Sequence, residues 1–280
     1  MNSINLILSV AMLLISTVID LYHVHAEDRV ISFNIDSPHQ PTAQRVRIVM
    51  PGSVKPDRSP KGDRVRVIYV LPVEAGPNTK WGDPRQACRD AKVFEKHSVI
   101  LVFPEFAQLP WYADHPTDKH IAQESFFIES VIPAVEARLE IEETKCDRYL
   151  LGFSKSGWGA FTLLLRHPDL FLKASAWDAP LMMDKPGNYG SGPIFETTQN
   201  FEKYQVSRLL KSYPFEKRGV SPRLISLGYD NFREHHLKVH NLMMTLKIPH
   251  IHKHGPKLKH HWESGWVKNA VDLLLAEPPQ

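Results

Sequence analysis

The segment Tyr149-Leu150-Leu151-Gly152-Phe153-Ser154-Lys155-Ser156-Gly157-Trp158-Gly159-Ala160 decides the fold. An apolar run ends at a serine, small residues follow, and Phe161 to Arg166 continues with helical periodicity. The order is strand, sharp turn, helix, with a serine at the turn. In a nucleophile elbow the serine occupies a strained backbone and its oxygen projects above the C-terminal edge of a sheet. So tight a turn requires small residues two before and two after the nucleophile. Around Ser154 these are Gly152 and Ser156; around Ser156 they are Ser154 and Trp158, and an indole does not fit. The nucleophile is therefore read as Ser154, with Ser156 where such turns usually carry glycine. A Gly/Ser-rich turn without chemistry is the bland alternative, and it is tested by looking for partners elsewhere in the chain.

Working outward, apolar strands and helical patterns alternate. Upstream, Arg64 to Val73 and Ser98 to Phe103 read as buried strands, and the second is a continuous apolar run of the kind covered on both faces. Asp83 to Glu95 between them is helical, with Asp83 as N-cap and Pro84 in the first turn. Ile121 to Leu139 is a long amphipathic helix with a kink expected at Pro133. Downstream, Leu172 to Trp177 is a strand ending at Asp178-Ala179-Pro180, and a short helix lies around Phe201 to Lys211. Arg223 to Leu227 is a strand ending at Gly228-Tyr229-Asp230, Asn231 to Leu246 a helix, Pro249 to His254 a last strand, and Trp262 to Leu275 a closing helix. Arg29 to Ile35 and Gln44 to Met50 alternate as outer strands do. This alternation predicts an α/β fold, a mostly parallel doubly wound sheet with helices on both faces. Its chemistry belongs beyond the C-terminal strand ends.

A chain of 280 residues, 42% hydrophobic and 23% charged, suits one large domain, here residues 27–280. The net charge of +3, with no basic stripe, gives no footprint for nucleic acid. Ile4 to Ile19 is a nearly unbroken apolar run of 16 residues, short of the roughly 20 that a spanning helix needs. Val24-His25-Ala26 then supplies a small-x-small pattern. Residues 1–26 are thus expected to be a secretory signal, leaving a secreted or periplasmic protein without stable membrane insertion. The two cysteines, Cys88 and Cys146, match no zinc spacing, and sequence leaves open whether they pair.

A serine hydroxyl needs a base within hydrogen-bond reach, and the base needs an orienting carboxylate. In α/β-hydrolases the chain order is Ser, acid, His. The acid candidates are Asp230 and Asp178, both at strand ends. Eight of the 15 histidines lie between residues 235 and 261. His235, His236 and His240 fall inside a helix. His250, His252 and His254 alternate as on one strand face, without acidic or Cys ligands at metal-binding spacing. His260 and His261 precede the last helix, where this fold class carries its base. The oxyanion hole needs two backbone N–H groups: one from Lys155, whose side chain is free to point to solvent, and one from Val73 or Glu74. No cofactor is called for.

The elbow resembles that of the esterase D / feruloyl-esterase-like branch of serine α/β-hydrolases, which usually reads G-x-S-x-G-G-x-G-A. Arg166-His167-Pro168-Asp169-Leu170-Phe171, Pro104 with Trp111-Tyr112-Ala113-Asp114, and Ile132-Pro133 are similar to that branch too, over residues 43–275. The resemblance implies carboxylic-ester hydrolysis without metal or cofactor, in exported relatives often on acyl groups of carbohydrates. Its His-x-Trp pattern falls on His260-His261-Trp262 and favours His260. Its acid follows the strand matched by Leu224 to Leu227 and favours Asp230. Two departures stand out: Pro72-Val73 where the family often has His-Gly or Ser-Gly, and Trp177-Asp178-Ala179-Pro180 where it often has Ser-Gly. The expected site is thus Ser154, Asp230 and His260, with the Lys155 and Glu74 amides and a pocket edged by Trp111, Trp158 and Trp177. The same triad also serves acyl transfer, and a catalytically inactive fold that binds glycans is the non-enzyme alternative.

Overall fold

The computed structural model describes residues 28–52, 64–214 and 221–277. The expected signal segment and most of the proline-rich stretch after Met50 lie outside these residues. Among the described residues eight strands form one sheet: β1 (Arg29–Ile35), β2 (Gln44–Met50), β3 (Val65–Val70), β4 (Ile100–Pro104), β5 (Cys146–Phe153), β6 (Lys173–Trp177), β7 (Leu224–Tyr229) and β8 (His250–Lys257). Their spatial order is β1-β2-β4-β3-β5-β6-β7-β8. The β1/β2 and β2/β4 pairs are antiparallel and all later pairs are parallel.

Among the described residues ten α-helical segments accompany the strands: α1 (Pro84–Asp90), α2 (Val93–Lys96), α3 (Gln123–Ser125), α4 (Ile132–Leu139), α5 (Lys155–Arg166), α6 (Gly192–Phe195), α7 (Thr198–Glu202), α8 (Val206–Ser212), α9 (Arg233–Thr245) and α10 (Val267–Leu275). The helix expected over residues 83–95 is two pieces, because Lys92 turns left-handed at φ 53°. Asp83 caps the first by accepting from the Arg85 amide. The expected long helix to Leu139 winds through a π-type stretch at Phe126–Val131 before α4. Pro133, which lacks an N–H, is the second residue of α4, and a wider turn ahead of it accommodates the missing donor.

The parallel strands are apolar along their length because both faces are covered. Leu150 of β5 faces a core with Phe127, Trp158, Phe161 and Phe195. Its neighbours Tyr149, Leu151 and Phe153 face a second core with Trp177, Trp262, Trp266 and Leu274. Cys88 and Cys146 are both buried free thiols, and burial pushes each up to about 12.

The chain runs from β3 outward to β4, then returns to place β5 on the other side of β3. Such a reversal opens a crevice beyond the strand ends, where open α/β sheets bind ligands. The turns after β3 and β5 both open into it.

Candidate active site

Ser154 is the turn between β5 and α5, at φ 54° and ψ −128°. A non-glycine residue there is strained and needs support from its surroundings. The parallel ladder supplies one restraint, since the Ser154 amide donates to the Trp177 carbonyl at 3.0 Å. Ser156 supplies another: its hydroxyl donates to the Phe153 carbonyl at 2.9 Å and accepts from the Phe153 amide at 3.0 Å. A Cβ at Gly152 would lie 2.1 Å from the Ser156 carbonyl oxygen, so that position must be glycine. A serine in place of the usual closing glycine is therefore a brace for the elbow.

The loop before α10 brings His260 to this serine. The Ser154 hydroxyl lies 3.0 Å from His260 Nε2. On the far side of the ring, Nδ1 lies 2.6 Å from Asp178 Oδ2. A carboxylate can only accept, so Nδ1 carries the proton and Nε2 is left to receive the serine's. The ring is packed by Phe153, Trp81 and Phe232, with centroids at 4.5, 5.3 and 5.7 Å. His261 turns away and caps the following turn by accepting from the Glu263 amide.

The carboxylate that meets the imidazole is Asp178, not the expected Asp230. Trp177 pairs with Phe153, so Asp178 leaves the sheet on the strand next to the nucleophile, while Asp230 leaves one strand further out. Asp178 bends back at φ 39°. Its carboxylate gathers the amides of Asp230 and Phe232 at 2.8 Å and of Asn231 at 3.0 Å, just ahead of α9. Burial alone pushes this carboxyl up, but the His260 bond and the three amides outweigh it and hold it below its usual range. Asp230 accepts from the His260 backbone amide at 3.3 Å and lies 3.6 Å from the Lys257 ammonium. It anchors the histidine's backbone rather than its ring.

Two helical histidines hold the backbone that follows Asp178. His236, fully buried, accepts from the Ala179 amide at 2.8 Å through Nε2 and meets the Ser226 hydroxyl at 2.7 Å through Nδ1. His235 accepts from the Met182 amide at 3.0 Å. Both must be neutral to accept, and burial lowers both, His236 to about 3. His240, His250 and His252 pack among themselves between α9 and β8. Among the described residues no group of three or more His, Cys, Asp or Glu is arranged to hold a metal ion.

A cavity of about 360 Å³ opens over the serine, lined by Ser154, His260, Glu74, Lys80, Trp81, Lys155, Pro180, Tyr189, Asn231 and Phe232. That is the scale of a small-molecule site. Trp111, Trp158 and Trp177 do not line it. Trp111 and Trp158 are fully buried against each other in one core, and Trp177 stacks on Trp266 in the other. The pocket's own aromatics, Trp81, Tyr189 and Phe232, come from loops, where no periodicity marks a residue as inward-facing. Lys155 departs from expectation as well: its side chain stays in the site and its ammonium lies 3.3 Å from the Glu74 carboxylate. The Lys155 amide begins α5, so it has no intrahelical acceptor and is free to bind an anion.

Fold, elbow and the Ser154–His260–Asp178 geometry together define an α/β-hydrolase of the serine type. Residues 50–210 match the model of the family described as "Putative esterase", and the chain belongs to that family of carboxylic-ester hydrolases. Among solved structures, a ferulic acid esterase is similar at 17% identity and a TM-score of 0.66, over 90% of this chain and 97% of its own. The fluorophosphonate-binding serine hydrolase F of Staphylococcus aureus is similar at 16% and 0.69, over 89% and 99%. An S-formylglutathione hydrolase from Agrobacterium tumefaciens is similar at 15% and 0.65, over 87% and 93%. Identities this low speak to the fold alone. A search of the curated proteins gives no match. Among the described residues no helix is long and apolar enough to cross a membrane.

Proposed function

We propose that the protein is an exported serine esterase in which Ser154, His260 and Asp178 act as the triad. The observation that carries this is the pair of contacts on one imidazole, 3.0 Å to Ser154 and 2.6 Å to Asp178. Ser154 Oγ attacks the ester carbonyl carbon while its proton passes to His260 Nε2. Asp178 holds the imidazolium through Nδ1–H. The oxyanion accepts hydrogen bonds from the Lys155 amide and from an amide of the β3 loop, Glu74 or Val73. Collapse expels the alcohol, which takes the proton from Nε2 and leaves an acyl-serine. Water then repeats the sequence with the same base and releases the acid.

The loops after β3 and β7 bring Trp81 and Phe232 in from opposite sides of the β5 end, with Tyr189 against Phe232 at 5.2 Å. These flat faces beside Lys80 and Asn231 favour an ester with a planar or ring-shaped group and hydrogen-bonding substituents, such as an acylated carbohydrate. The apolar run of residues 4–19 and the Val24-His25-Ala26 pattern support export.

The test is intact-mass analysis of the mature protein after a fluorophosphonate probe, beside Ser154→Ala. One adduct on the wild type and none on the variant is expected. Absence of an adduct on the wild type would sink the proposal, because the probe needs only an activated serine and an oxyanion hole.

A further inference from the structure

The turn after β3 is fastened at several points. The Pro72 carbonyl accepts from the Tyr112 hydroxyl at 2.6 Å, and the Gly76 amide donates to the Phe106 carbonyl at 2.8 Å. Between these anchors, Glu74 Oε1 accepts from the Trp81 indole at 2.9 Å and from the Lys155 ammonium at 3.3 Å. The side chains of Glu74 and Lys155 are only 16% and 11% exposed. The amides of Val73, Glu74 and Lys155 donate to no described residue.

A charged pair this buried gives up solvation that its own attraction barely repays, so stability alone is a weak reason to keep it. Its placement is more telling. The carboxylate is on the loop that supplies one oxyanion donor, and the ammonium is on the residue that supplies the other. The family's usual His-Gly or Ser-Gly is absent at this loop, where the chain reads Pro72-Val73.

We infer that the Glu74–Lys155 ion pair, braced by Trp81, is a side-chain clasp that sets the spacing of the two main-chain oxyanion donors. Glu74 and Lys155 are in this respect positioning residues: the groups that touch the oxyanion are amides, and the clasp holds the β3 loop against the N-terminus of α5. The inference rests on the serine-esterase reading above.

The experiment uses p-nitrophenyl acetate, an ester with no charged group for either side chain to pair with. In Glu74→Ala the donors stay present but lose their spacing. kcat should fall by about tenfold to a hundredfold, up to the scale of an ångström-size misplacement and short of the removal of a donor, with KM within about twofold because the loss is confined to the transition state. Glu74→Gln keeps an oxygen that accepts from both Trp81 and Lys155 and should recover most of the rate. Lys155→Met should match Glu74→Ala, and the double variant should be no slower than the slower single, as for two groups acting through one contact. Thermal midpoints check folding; if Glu74→Ala unfolds, Lys155→Met takes its place as the broken clasp, read against Glu74→Gln. Wild-type kcat in Glu74→Ala and Lys155→Met, a loss carried in KM, or additive losses in the double variant would overturn the clasp. A wild type with neither turnover nor fluorophosphonate labelling would overturn the esterase reading and the clasp with it.

Discussion

Replacing Asp178 by asparagine separates the two strand-end carboxylates. In the native site Oδ1 accepts from the Asp230 and Phe232 amides, and Oδ2 accepts from the Asn231 amide and His260 Nδ1. An asparagine has one acceptor oxygen. If that oxygen keeps the Asp230 and Phe232 amides, its NH2 group faces the Asn231 N–H and the imidazole. Two donors then confront each other, and a buried N–H left unmade costs about 1–3 kcal/mol of stability. The catalytic effect is larger. Facing an NH2, Nδ1 becomes the acceptor and the proton moves to Nε2, so the ring can no longer take the proton from Ser154. A wrong tautomer in an otherwise intact serine triad lowers kcat by about 10⁴, and a fall of that order is expected here. Asp230→Asn keeps an oxygen for the His260 backbone amide and loses only a contact with a largely exposed lysine. Its rate should fall by less than about tenfold, in line with the small worth of exposed pairs. The assay is kcat and KM for p-nitrophenyl acetate, with fluorophosphonate labelling rates and urea midpoints for each variant. A near-native rate in Asp178→Asn, with activity abolished in Asp230→Asn, would refute the assignment of the acid.

Two further predictions follow from the surroundings of the triad. Gly152→Ala places a Cβ 2.1 Å from the Ser156 backbone oxygen; the elbow must shift, and we expect a loss of about 2–3 kcal/mol and of fluorophosphonate labelling even where the protein still folds. The buried His236, lowered from 6.5 to about 3 by burial, makes stability fall on acidification. Below pH 6.5 the unfolded chain takes up a proton that the folded chain refuses until about pH 3, so its contribution is intact above that window and lost as pH drops through it. At pH 5 the loss from His236 alone is about 2 kcal/mol. Asp178, whose folded value is depressed, adds a loss of the same sign below about pH 3.9. Urea unfolding at pH 7 and pH 5 measures the His236 loss, and His236→Gln should show a slope shallower by about one proton. Equal slopes would contradict the assignment.

The parts of the molecule legible in the sequence are those with a period. Continuous apolar runs mark β4 and β5 because both faces of the sheet are covered, and alternation marks β2 because it borders the parallel core. The elbow was legible for a related reason: its sterics demand small residues at fixed offsets, and Gly152 and Ser156 satisfy them around Ser154 alone. His260 could be placed next to a helix start but separated from His261 only by resemblance. The acid was not decidable that way. Asp178 and Asp230 both end strands, and the choice depends on a backbone bend at φ 39° and on three amides from another loop, neither of which leaves a local pattern. The tryptophans failed for a complementary reason. Trp177 directly precedes Asp178 and Trp158 lies one helical turn past Ser154, yet each points into a core beneath the strand ends rather than into the cavity. The residues that reach the cavity, Trp81, Tyr189 and Phe232, sit on turns that lean over the strand ends. The same logic explains how the carboxylate that meets His260 can come from the β6 end without disturbing the rest. The β6 and β7 ends share one hydrogen-bond ring, Asp178 through its carboxylate to the β7 loop and Asp230 through its carboxylate to the His260 backbone. Moving the orienting role between the two strands changes which carboxylate faces the ring while the histidine stays where the loop before α10 puts it.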